Sequence, residues 1–199
     1  MTEPPIASQP TRPYDGYAQA LAHGIEVAFA PLEQPAVLWL PQYRAALINS
    51  SMSELHRHTA LAHALAHSVI DDTALARLSR VGLVAREVVE RAACRVSARA
   101  QIPADLLAEE LEKSTSAAFV SSSLSVTAAT LCWRLDDLNS ADRRSIPAEL
   151  ILRLRWDAPV DDGICCIRPD GVPGGAVSCD RGGSLRTVLR QYRNQFPRR

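Results

Sequence analysis

The chain is nearly without lysine: Lys113 is the only one among 22 basic residues, so arginine carries the positive charge. It has no net charge either, the 22 basic groups balancing 22 acidic ones, and such a chain generates no overall field drawing it to nucleic acid or an acidic surface. Arg143, Arg144, Arg153 and Arg155, followed by the arginines between Arg181 and Arg199, make the C-terminal part locally basic, which reads as solvated surface. No apolar run is long enough to cross a bilayer, and Met1 to Arg12 holds acidic and proline residues where a signal peptide has a basic start and an apolar core. The expectation is a cytoplasmic protein with no membrane partner. Cysteine is too sparse, at five residues, and of the wrong parity for a disulfide framework. Cys165 and Cys166 are adjacent, which is poor spacing for one tetrahedral ion, and no histidine follows His67, so Cys165, Cys166 and Cys179 read as thiols.

What the chain does contain is Leu61-Ala62-His63-Ala64-Leu65-Ala66-His67-Ser68, two histidines four residues apart among good helix formers. That spacing stacks both imidazoles on one helical face, where they supply two of the three protein ligands of a catalytic zinc. The full pattern for such a site is His-Glu-x-x-His, in which the glutamate is the general base. Ala64 occupies that position here. The sequence holds a metal-site skeleton without its proton acceptor.

The flanking pattern is α+β. Residues 1–13, with four prolines among small polar residues, read as a flexible leader. Tyr14 to His23 suits a short helix. Alternation of Ile25, Val27 and Phe29, then Ala36–Leu40 and Tyr43–Asn49, predicts three short strands, expected to form a small antiparallel sheet. Ser51 with Glu54 has the form of a capping box, placing the histidine helix from Met52 to about Ile70. His56 and His58 lie in that helix as polar surface or as groups behind the ligands. Val81–Ala100 follows as an amphipathic helix stopped by Gln101-Ile102-Pro103, then a short helix from Pro103 to Glu112. Between Ser116 and Leu138, two short helices across a serine-rich turn make a helix-turn-helix-like arrangement. Beyond Asn139, the alternating leucines of Glu149–Trp156 predict a strand pairing with Gly163–Ile167, and Ser184–Phe196 a closing helix.

Four successive segments from about Gly24 to Leu138 resemble the ImmA/IrrE family of zinc metallopeptidases. His23-Gly24-Ile25-Glu26-Val27 with Ala46-Leu47-Ile48-Asn49 looks like the family's lead-in strands. His58-Thr59-Ala60-Leu61-Ala62-His63-Ala64-Leu65-Ala66-His67 is similar to its Thr-Leu-Ala-His-Glu-Leu-Gly-His helix. Glu90-Arg91-Ala92-Ala93-Cys94-Arg95-Val96-Ser97-Ala98, leading to Ile102-Pro103, fits its Glu-x-x-Ala-Asn-x-Phe-Ala-Ala segment, with Cys94 where asparagine is usual. Leu124-Ser125-Val126 and Arg134-Leu135-Asp136-Asp137-Leu138 resemble the closing helix.

The resemblance implies a zincin-like domain over residues 14–138, with a C-terminal α/β extension of unknown role over 139–199. It implies a Zn2+ site ligated by His63, His67 and Glu90, Glu87 being the rival acid, and it implies cleavage of a helix-turn-helix repressor that derepresses phage, mobile-element or stress genes. With Ala64 at the base position, turnover is expected to fall by about 10²- to 10⁴-fold. Either an engineered change trapped an otherwise intact enzyme, or the chain is a natural pseudo-peptidase that binds a repressor, or DNA, without cutting.

Overall fold

A computed structural model describes residues 14–32, 36–71, 77–78, 82 and 85–156. The expected strand at Gly163–Ile167 and the closing helix at Ser184–Phe196 lie outside the described residues.

The most deeply buried of the three strands takes the centre of the sheet. β3 (Ala45–Asn49) is buried at every position, flanked by β1 (Glu26–Ala30) and β2 (Val37–Leu40). A single 3-10 turn at Pro41–Tyr43 closes the β2–β3 hairpin, with Arg44 in the left-handed region at φ 47°. β2 therefore runs antiparallel to β3, Leu38 opposite Leu47. β1 instead pairs parallel to β3, Ala28 opposite Leu47. The sheet is mixed, not antiparallel: each edge strand shields one side of β3, and the chain crosses from β1 to the far edge before returning through the centre.

One face of this sheet, with helix α1 (Gly16–Ala22), packs on helix α2 (Glu54–Ile70). Ala20, Ile25, Ala46 and Ile48 meet Ala60, Leu61, Ala64 and Leu65 there. Each fully buried Leu or Ile in such a seam contributes about 1.5–3 kcal/mol. α2 begins one turn-fraction later than the Ser51 capping box suggests. Ser53 is its cap, accepting from the His56 amide, while Ser51 Oγ donates to Asn49 Oδ1 at 2.8 Å. Ser51 is used to close the strand-to-helix corner and is not free to cap.

The opposite face of α2 packs on α3 (Arg86–Gln101) through Ala66, Ile70, Val89 and Ala93. From Ile102 to Leu152 the described elements are helices: α4 (Ala104–Lys113), α5 (Ala117–Ser123), α6 (Ala128–Asp136), α7 (Asp142–Ser145) and α8 (Ala148–Leu152) surround a second core of Ile102, Leu107, Leu111, Val120, Leu131 and Ile146. Buried Arg134 ties this core together. Its Nε donates to the Ile102 carbonyl at 2.7 Å and its Nη1 to Asp142 Oδ2 at 2.9 Å.

The strand expected over Glu149–Trp156 is not there. Ala148–Leu152 is helical, Leu150 and Leu154 four residues apart face the core, and Leu152 is 85% exposed. The alternating leucines satisfy a helical face as well as a strand face, and packing decides for the former. Only an isolated parallel bridge, Ser116 to Arg155, is formed in this stretch. The class is α+β as expected, but the described part of the C-terminal extension is helical.

Candidate metal centre

Helical geometry places the two histidines on the α3-facing side of α2, one turn apart. Their rings stand 4.8 Å apart between centroids at 81°. α3 crosses this face so that Glu90, in its second turn, points between them. His63 Nε2 lies 3.2 Å from Glu90 Oε2, His67 Nε2 lies 3.2 Å from the same oxygen, and the two Nε2 atoms are 3.1 Å apart. All three groups are largely shielded from solvent.

The triangle cannot be satisfied by hydrogen bonds alone. Glu90 can accept from both imidazoles only if each carries its proton on Nε2, which turns two N–H donors toward each other at the 3.1 Å contact. If either proton sits on Nδ1, two lone pairs face each other instead. A divalent cation removes the conflict, because three lone pairs then converge on one positive charge. Donors arranged tetrahedrally about 2.0–2.1 Å from zinc stand roughly 3.3 Å from one another, close to the spacing observed. Two imidazoles and one carboxylate are also the donor set zinc prefers in hydrolytic sites.

The electrostatics favour the ligand-competent protonation state. Burial lowers the His63 pKa, the Glu90 hydrogen bond opposing it, so the imidazole is held toward its neutral form. For Glu90 burial acts the other way, but hydrogen bonds from His63 and His67 outweigh it and keep the carboxyl well below its ordinary range. An ionised Glu90 carboxylate beside a neutral His63 imidazole has few protons left to expel on binding a metal.

The remaining candidates fall elsewhere. Glu87 is exposed on α3, away from the triad. Glu90 is buried. His56 Nδ1 contacts Ser53 Oγ at 2.6 Å, and His58 sits 4.0 Å from Glu54 and edge-on to Tyr17, so both belong to the N-terminal turns of α2. Ala64, at the general-base position, is 0% exposed in the seam between α2, α1 and the sheet. Cys94, one turn beyond Glu90, places Sγ 3.8 Å from His63 Nδ1 on the side away from the triad. Sequence reasoning missed Thr59 and Trp133, which stand near that same side of His63. Thr59 was available as an i−4 neighbour of His63, but Trp133 reaches the site only through the packing of α6 on α3.

A model of the IrrE N-terminal-like peptidase domain matches residues 20–136. No curated protein and no solved structure matches the chain.

Proposed function

From the chain's membership of the family of IrrE N-terminal-like peptidase domains, we propose that it is a zinc protein of the metallopeptidase type, built to engage a helix-turn-helix repressor and crippled in hydrolysis by Ala64. The observation that carries this is the convergence of His63 Nε2, His67 Nε2 and Glu90 Oε2 at 3.1–3.2 Å. These three residues would hold the ion. Zinc, when bound, supplies Lewis acidity to polarise a scissile carbonyl and acidify the attacking water.

The chain's own residues do the rest. Glu90 contributes the negative charge that keeps a divalent ion in place, and His63 and His67 contribute neutral donors. The Ala64 methyl can neither accept the proton of an attacking water nor return one to a leaving amine. Turnover in this chain is therefore about 10²- to 10⁴-fold below that of a site with a carboxylate at position 64.

The test is cleavage of purified helix-turn-helix repressors by the parent chain and by Ala64→Glu, each with and without zinc. The expected result is zinc-dependent scission by the variant only. A variant that binds zinc, stays folded and cuts none of them would overturn the peptidase reading.

That outcome would favour a second reading, in which the chain holds a repressor without cutting it. The complete apolar packing of Ala64 supports it, since position 64 serves the core as it stands. DNA contact through Ser121–Leu138 is less favoured: Ala129, Thr130, Leu131, Trp133 and Arg134 of α6 are buried, which leaves little of that helix to enter a groove.

A further inference from the structure

Beside His63, residues of α2, α3 and α6 line a partly open cavity of about 20 Å³ that Glu90 does not border. Its walls include Thr59 and His63 from α2, Cys94 and Ser97 from α3, and Thr130 and Trp133 from α6. Two of these side chains are orphans. Thr59 is 7% exposed and Trp133 3%, yet among the described residues neither Thr59 Oγ1 nor Trp133 Nε1 has a hydrogen-bond partner. Leaving a buried donor or acceptor unpaired forfeits the hydrogen bond it makes to water in the unfolded chain. The other hydroxyls are committed: Thr127 and Thr130 bond each other at 2.9 Å, and Ser97 Oγ donates to the Cys94 carbonyl at 3.1 Å.

The chemistry of the walls selects the occupant. An indole N–H donates and cannot ligate, so the cavity does not suit a cation. An apolar guest would leave both orphans unmade. Among the described residues no arginine or lysine lines it to hold an anion. A single water needs about 10–15 Å³ and two to four polar partners, and the cavity offers both.

We propose that this cavity is a structural water site, in which one water accepts from Trp133 Nε1–H, bonds the Thr59 hydroxyl and shares the Nδ1–H of His63 with Cys94 Sγ, 3.8 Å from that nitrogen. A proton held on Nδ1 leaves the Nε2 lone pair facing His67 and Glu90. Thr59 and Trp133 are thereby positioning residues for His63, acting through the water. The water site stands on the cavity alone; its effect on metal binding rests on the zinc reading above.

Crystals of the full chain, metal-free and zinc-loaded, should show one ordered water within hydrogen-bond distance of Thr59 Oγ1 and Trp133 Nε1. A dry cavity, or either atom paired with protein, overturns the site. In solution, Thr59→Val should weaken zinc binding about tenfold in chelator competition, and Thr59→Ser should retain it. Long-range ¹⁵N correlation spectra of His63 should show the Nδ1–H tautomer in the parent and in Thr59→Ser, and a mixture in Thr59→Val. Unchanged affinity and an unchanged tautomer in Thr59→Val would overturn the positioning role. If Thr59→Val does not fold, Trp133→Phe, which removes the N–H donor and replaces the bicyclic ring with a smaller one, is read by the same two measurements. Failure of the parent to bind zinc at all would strike the metal reading and leave the crystallographic test of the water standing.

Discussion

Restoring a carboxylate at position 64 should cost the fold a substantial part of its stability. The Ala64 side chain is wholly buried among Ala20, Ile25, Ala46, Ile48, Ala60, Leu61 and Leu65. Ala64→Glu drives one further methylene and a carboxyl group into that seam. Overpacking a close-packed core costs about 1–3 kcal/mol, and burying a polar group without partners costs roughly another 1–3 kcal/mol by mutational measures. The sum, roughly 2–6 kcal/mol, is large against the 5–15 kcal/mol that typically holds a domain folded. At about 2–4 °C per kcal/mol for a chain of this size, the midpoint should fall by roughly 5–20 °C. The assay is urea and thermal denaturation followed by circular dichroism, with chelator present, comparing the parent, Ala64→Ser and Ala64→Glu. Ala64→Ser should sit close to the parent. If Ala64→Glu unfolds within about 0.5 kcal/mol of the parent, position 64 faces open space and the packing of α2 on the sheet has been misjudged.

Zinc at a hundredfold excess over its Kd should stabilise the parent by about 2.7 kcal/mol; Glu90→Gln should lose that protection, its affinity falling by about 10²- to 10³-fold as one of few ligands is removed. Isothermal titration with zinc reads both, and equal affinity in the two proteins would refute the ligand role of Glu90. Arg134→Met leaves Asp142 and the Ile102 carbonyl without their buried donor and should destabilise by about 3–5 kcal/mol in urea titrations; a change under about 1 kcal/mol would mean that the pair is not formed. The Arg134 hydrogen bond lowers the Asp142 pKa, ahead of the opposing effect of burial. A carboxyl lowered on folding stabilises above its unfolded pKa, near 3.9, and that contribution is lost as pH falls through the lower folded value. The parent should therefore lose stability steeply below about pH 4, and Asp142→Asn should show a shallower decline over the same range.

The parts legible in the sequence were those written in local spacing. His63 and His67 announce a shared face at i,i+4, and the Glu90 segment could be set beside them because its resemblance is carried by a contiguous run. Helices α3 to α6 followed from their apolar periods and from the Pro103 stop. Partner choice between distant segments was not legible. Which strand holds the middle of the sheet depends on how both its faces are covered, and nothing in Glu26–Ala30 itself says parallel or antiparallel. Glu149–Trp156 carries two periods at once, and the core under Leu150 and Leu154 decides between them. Thr59 and Trp133 have no sequence signature as a pair, since they meet only where α2, α3 and α6 close on one another.

Glu90 stands 27 residues from His63 and 23 from His67, on the helix whose far end supports the second core. An ion at the triad would consequently act as a clasp between the N-terminal sheet layer and the C-terminal helices, joining them at a point the backbone reaches only by way of the residues between Asp71 and Ala85. A chain nicked in that interval would still be fastened at the metal, in addition to the apolar seam of Ala66, Ile70, Val89 and Ala93.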